Sequence, residues 1–181
     1  GLNSTNVNGF KNPWASICDE LVTGYGNASK YNNSDKNATN VSFHRYGDCY
    51  KAIRQANIFL QKAHVITAGG TQGDELLEPE LKRYQANARF MRAFYHYLLF
   101  EQYGPIIIVG DKVYEATESQ DMSRNSVDEV VEYLDKELLA SADELSQEPI
   151  IDENYRAEPT KGVALAVRAK MWVYAASPLL N

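Results

Sequence analysis

The sequence predicts an all-α fold built from helical hairpins with long polar loops. Three observations predict it: four segments with apolar residues at helical spacing, start and stop signals at their ends, and nearly regular intervals between them. In the first segment Tyr46, Tyr50, Ile53 and Leu60 share one face, widened by Ala52, Ala56, Ile58, Phe59 and Ala63. We place this helix at 46–66, stopping before Gly69-Gly70. The acidic stretch Thr71 to Glu78 reads as a loop. Pro79 suits the first turn of the second helix, placed at 80–103, because its missing N–H has no helical partner there. Leu81, Tyr84, Ala88, Met91, Tyr95, Leu98 and Leu99 follow at helical spacing, and Gly104-Pro105 ends the run. This helix is apolar around much of its circumference between Phe90 and Phe100, so it should be the most buried.

Ile106 to Val109 is a short extended apolar run, expected to lie against the helices rather than in a sheet. Ser126-Val127-Asp128-Glu129 is a capping box, and it opens a third helix at 126–145 with Val127, Val130, Val131, Leu134, Leu138 and Leu145 as its buried stripe. Thr160 is expected to cap the fourth helix, 160–177, which Pro178 closes. Its small residues, Gly162, Ala164, Ala166, Ala169, Ala175 and Ala176, would let a neighbouring helix approach closely. The helices start near 47, 80, 126 and 160, and the similar first and third intervals suggest two antiparallel hairpins. The expected core is Ile53, Leu60, Phe90, Met91, Phe94, Leu98, Val130, Leu134, Val167 and Met171. Truncating Phe94 or Leu98 to Ala should on this reading cost about 2–5 kcal/mol.

Residues 1–45 differ from the rest, being rich in Asn, Ser, Thr and Gly. Trp14, Ile17, Cys18 and Leu21 predict one short helix, ended by Gly24 and Gly26. The stretch 27–40 reads as a polar loop, since Asn, Ser and Asp bond their own backbone in competition with regular structure. We assign 1–45 and the scaffold 46–181 to the same single domain.

Composition narrows the function. A net charge of -6 without a Lys/Arg stripe argues against nucleic acid. No run of about 18 apolar residues could span a membrane. Twelve tyrosines and two tryptophans can pack a core or stack on sugar rings. Cys18 and Cys49 match no zinc pattern, and nothing in the sequence places them together as a disulfide. The only histidines, His44, His64 and His96, lie on or beside predicted helices with no visible triad partner. The carboxylates Asp74, Glu75 and Glu78 read as a solvated loop, and Asp128 and Glu129 serve a helix start. Asn33, Asp35 and Asn37 mimic a calcium loop that then fails at Ala38 and His44. Five N-glycosylation sequons, starting at Asn3, Asn27, Asn32, Asn37 and Asn40, follow from the Asn/Ser/Thr-rich composition. No catalytic residue, metal site or cofactor is expected.

Four stretches in order, which are spread over about three quarters of the chain, resemble the SusD/RagB family of outer-membrane nutrient-binding lipoproteins: 50–60 (Tyr50 to Leu60), 86–105 (Ala86 to Pro105), 124–130 (Arg124 to Val130), and 160–181 (Thr160 to Asn181) with its Ser177-Pro178-Leu179-Leu180-Asn181 end. The resemblance implies a helical scaffold of tetratricopeptide-like hairpins whose loops bind glycans, without catalysis. It implies a lipid-anchored protein on the bacterial surface and a SusC-like TonB-dependent transporter as partner. It also implies a longer protein, of which this chain would be the N-terminal half trimmed at both ends. The lipoprotein signal and acylated cysteine lie outside it, so any membrane association would come only through a lipid anchor that this chain lacks. For the oligosaccharide or other nutrient ligand, the candidate site is Tyr25, Asn27, Tyr31, Asn32 and Asn33. Tyrosine rings can lie under a pyranose, and amides can bond its hydroxyls. An ordinary solvated loop is the plain reading of the same residues. The competing function is a helical-repeat adaptor that binds protein and no glycan.

Overall fold

The computed structural model describes residues 44–66, 77–115, 118, 121–148, 158–178 and 180. Four helices order the described residues: α1 Tyr46–Lys62, α2 Glu78–Tyr103, α3 Val127–Glu144 and α4 Lys161–Ala175. The short helix expected at 14–22, the polar loop and Cys18 lie outside the described residues.

Each helix packs on the next, and α2 also touches α4. The directions follow from named contacts. The rings of Tyr46 and Tyr103 meet edge to face at 5.3 Å, while Asn57 meets Arg92, so α1 and α2 run antiparallel. Arg89 pairs with Glu144, and His96 packs on Tyr133, so α2 and α3 are antiparallel too. Lys161 pairs with Asp143 at 3.1 Å and Arg168 with Asp135 at 2.7 Å, which reverses direction again into α4. In consequence α2 and α4 lie parallel, with Lys170 Nζ 2.6 Å from Glu101 and Tyr174 edge-on to Phe100. These are the two antiparallel hairpins the sequence suggests.

The ends obey local chemistry. Glu129 accepts the Ser126 N–H at 2.8 Å, and the Ser126 hydroxyl accepts the Glu129 N–H at 3.3 Å, as the capping box predicts. Ser126→Ala should therefore lower stability by about 1 kcal/mol, read from the denaturant midpoint at constant slope. An unchanged midpoint would show that solvent replaces the cap. Gly104 ends α2 at φ 68°, ψ -127°, a conformation that a Cβ disfavours, and its N–H bonds Phe100 O at 2.9 Å. The run 106–109 forms no strand. Ile106 is buried, and the run is fastened to Asn125 through Asn125 N–H to Ile106 O and Ile108 N–H to Asn125 Oδ1.

Several expectations need correction. Helix α1 stops at Lys62 rather than 66. His64 Nδ1 lies 2.9 Å from the Lys62 carbonyl at the helix end, and the β-branched pair Val65-Ile66 is exposed, with no core to reward another turn. Thr160 stands at the N-cap of α4, but its hydroxyl makes no capping bond. The first amide of α4, Lys161 N–H, instead finds the Ser146 carbonyl across the hairpin at 2.8 Å. The small residues of α4 mostly do not meet a neighbour: Gly162, Ala166, Ala169 and Ala176 are exposed, whereas Ala164 is buried. That leaves α4 with an apolar outer side at Leu165, Trp172 and Val173.

Of the expected core, Ile53, Phe90, Val130, Leu134 and Met171 are buried. Met91, Phe94, Leu98 and Val167 are half-buried against that core, and Leu60 is half-buried. Helix phase explains the difference. At 100° per residue, Phe90, Tyr97, Ala86, Ala93, Phe100, His96, Arg92 and Leu99 fill one half of the α2 circumference, and all are buried. Phe94, Leu98 and Met91 fall on the other half, so an all-round apolar helix gives no sign of which half its neighbours cover.

Candidate functional site

One face of α1 is polar, and it includes Tyr50, which the sequence places on the apolar stripe. Tyr50, Arg54, Asn57 and Gln61 recur at intervals of four, three and four, and each bonds the backbone of the segment after α2. The Tyr50 hydroxyl donates to Ile107 O at 2.9 Å and lies 3.1 Å from Ile107 N, from which it accepts. Asn57, only 1% exposed, donates to Gly110 O at 2.9 Å and Lys112 O at 3.2 Å. Gln61 donates to Asp111 O at 2.9 Å, and Arg54 reaches Tyr114 O at 3.5 Å. Gly110, at φ 63°, makes the bend where the Gly110 and Lys112 carbonyls turn to Asn57 and the Asp111 carbonyl between them to Gln61. A buried Asn in the middle of an amphipathic helix was the signal available in the sequence: its amide must find partners.

Behind Asn57 lies a buried charge. Arg92 donates to Asn57 Oδ1 at 3.2 Å and to Glu137 at 2.7 Å, linking α1, α2 and α3. Next to it His96, fully buried, has its Nδ1 2.9 Å from the Arg92 carbonyl; since a carbonyl only accepts, that nitrogen carries the proton. Burial pushes the His96 imidazole down from 6.5 to about 4; the bond to the carbonyl opposes this, and the neighbouring Arg92 charge adds to it. The unfolded chain takes up a proton that the folded chain refuses, so this contribution is complete above pH 6.5 and is lost as pH falls towards about 4. Denaturation midpoints should drop across that window by up to about 1.4 kcal/mol per pH unit in free energy. His96→Gln should flatten that part of the profile, and an unaltered profile would assign the loss to other groups.

The tethered segment and α1 enclose an open groove of about 390 Å³, lined by Tyr46, Tyr50, Arg54, Val109, Lys112 and Tyr114 among others. Tyr46 and Tyr50 are 4.8 Å apart and tilted by 58°. Lys112 Nζ sits 4.3 Å from the Tyr114 ring centroid, in cation–π contact. Burial raises the Tyr50 phenol well above its ordinary range, so it stays protonated and able to donate to Ile107. A larger hollow of about 620 Å³ beside the start of α2 has no aromatic ring in its lining; Lys82, Arg83 and Arg89 there face Glu144, Glu148 and Glu158. The rings single out the smaller groove for a ligand with apolar faces.

The expected ligand residues Tyr25, Asn27, Tyr31, Asn32 and Asn33 lie outside the described residues. Among the described residues no group of three or more His, Cys, Asp or Glu could hold a metal, and no helix is long and apolar enough to cross a membrane. Cys49 is buried in the core.

Comparison with known proteins adds the lineage. A profile of the SusD-like family, described as "Starch-binding associating with outer membrane", matches residues 11–173. No curated protein sequence matches significantly. Among solved structures, the protein BT4246 is 29% identical with a TM-score of 0.62, over 75% of this chain and 22% of its own. A SusD-like protein from Bacteroides fragilis, BF3747, is 23% identical with a TM-score of 0.58, over 71% of this chain and 23% of its own. The surface glycan-binding protein A from Bacteroides uniformis is 24% identical with a TM-score of 0.55, over 70% of this chain and 26% of its own. The chain thus spans about a quarter of the length of these relatives. The family is one of carbohydrate-binding, non-catalytic proteins with a tetratricopeptide-like helical fold. With a match that runs through nearly the whole sequence and a helical fold in common, this chain belongs to the SusD-like family.

Proposed function

We propose that the protein is a non-catalytic glycan-binding component of the cell surface, which passes its ligand to a SusC-like TonB-dependent transporter. The observation that carries the reading is the match of residues 11–173 to a family described as starch-binding and associated with the outer membrane. The tyrosine-lined groove supports it, because flat rings beside polar groups suit the alternating apolar faces and hydroxyls of a sugar. In this proposal the full-length protein is lipid-anchored in the outer membrane. Tyr25, Asn27, Tyr31, Asn32 and Asn33, in the segment that precedes α1 in the chain, are proposed as glycan contacts in their own right, independent of the groove.

Calorimetry on the full-length protein with a bound oligosaccharide tests the reading. A stacked ring contributes on the order of 1 kcal/mol. Tyr114→Ala, or Tyr25→Ala with Tyr31→Ala, should therefore weaken binding by roughly fivefold or more. Affinities within about twofold of wild type for both sets would place the glycan site elsewhere. Purification from native membranes should bring a TonB-dependent transporter with the protein, and repeated purification without one would refute the transfer step.

The alternative, an adaptor that binds protein and no glycan, is favoured by one observation: the exposed apolar side of α4, where Trp172 is 47% and Val173 76% exposed. A glycan array that remains blank on full-length protein would shift the balance to it.

A further inference from the structure

The charges around the tyrosine groove are one-sided. Its ten lining residues include three cations, Lys51, Arg54 and Lys112, and no carboxylate. A fourth cation, the exposed Arg124, lies close enough to Tyr50 for its charge to act on the phenol. The chain as a whole carries a net charge of -6, so a cationic groove is not a by-product of composition.

Two of these cations have acidic partners at the rim, outside the lining, and Arg54 has none among the described residues. Asp48 pairs with Lys51 at 3.7 Å, but both side chains are 81% exposed, and such pairs contribute little. Glu118 pairs with Lys112, and both are substantially exposed to water. Neither acid lines the groove. Arg54 spends one weak bond, at 3.5 Å, on the Tyr114 carbonyl, so most of its five donors remain for a ligand. Lys112, although exposed and paired with Glu118, also lies over the Tyr114 ring, which places its charge beside the stacking surface. The backbones that carry Arg54 and Lys112 are tied to each other, because Asn57 of α1 bonds the Lys112 carbonyl.

We infer that this groove selects an acidic glycan: a sugar with a carboxylate or sulfate group that meets Arg54 and Lys112 while its ring stacks on the tyrosines. The inference rests on the glycan-binding reading and narrows it to one ligand class. A planar guanidinium forms two parallel bonds with such a group, and a neutral oligosaccharide leaves that capacity unused.

The test uses the full-length protein on an array of neutral, uronic-acid and sulfated oligosaccharides, followed by calorimetry on the best binder. The bound members should carry carboxylate or sulfate. Their affinity should fall as NaCl is raised, since partly exposed charges are screened. Arg54→Gln with Lys112→Gln should reduce that affinity by roughly tenfold or more, about 1.4 kcal/mol. The melting temperature of the double variant should remain close to wild type, because both side chains are exposed. Binding of neutral sugars alone, or of neutral and acidic sugars equally, would overturn the acidic class and leave glycan binding in place. Acidic binding indifferent to the double variant would overturn the groove as its site. A blank array would overturn both readings.

Discussion

Phe100→Ala should lower the unfolding free energy by about 3–5 kcal/mol, among the largest effects of any single truncation in the helical body. Phe100 is fully buried, and its ring meets Tyr174 at 5.3 Å and 84°, so it joins α2 to α4 directly. Removing it deletes apolar contacts from both helices and leaves a cavity where two rigid backbones cannot easily close in. Phe94→Ala makes an internal comparison on the same helix. It removes the same atoms from the half-buried arc and should cost roughly half as much, in proportion to the area it hides from water. Urea unfolding of the two variants, compared at equal slope, measures the difference. Equal losses would mean that α2 is as tightly covered on the arc of Phe94 as on that of Phe100.

Arg92→Leu should cost about 3 kcal/mol, towards the low end of what an orphaned buried charge costs, because Glu137 keeps 22% of its side chain exposed. The change strands the Glu137 carboxylate and removes the donor to Asn57 Oδ1. Its effect should extend to the groove. Asn57 holds the Gly110 and Lys112 carbonyls, so amide exchange around 107–114 should quicken even under conditions where the helices remain folded. Adding Glu137→Leu should restore part of the lost stability, since an apolar pair avoids the uncompensated charge. If the double variant is no more stable than Arg92→Leu alone, the loss comes from packing of the long side chain and not from its charge.

The legible part of this fold was the part that periodicity and end signals write locally. The Ser126–Glu129 box, the Gly104-Pro105 stop and the four helical stripes all concern residues within one or two turns of each other. What stayed hidden was long-range. Phe94 and Phe100 look alike in the sequence, and only the position of α4 makes one a core residue and the other a flank. The same holds for the groove. Tyr50, Arg54, Asn57 and Gln61 form a visible stripe, but their partners stand 50 or more residues away and are backbone atoms, which carry no sequence signature. The expected ligand residues were read from composition, which can pick out sugar-compatible side chains but cannot say what they face.

Among the helices of the described residues, α2 alone touches each of the other three. Neighbouring helices otherwise form a chain of contacts, in which an end unit can detach at little cost to the rest. Detaching α1 leaves α2, α3 and α4 in mutual contact, whereas loosening α2 removes support from all three. The body 46–181 therefore has a hierarchy of openings, with the middle of α2 released last. Amide protons between Phe90 and Leu99, around the Arg92 junction, should be the slowest to exchange among the described residues, at a rate that reports global unfolding. A glycan that bridges α1 and the 107–114 segment would then rigidify the least secure edge of the body, and its binding would be felt first as protection in α1.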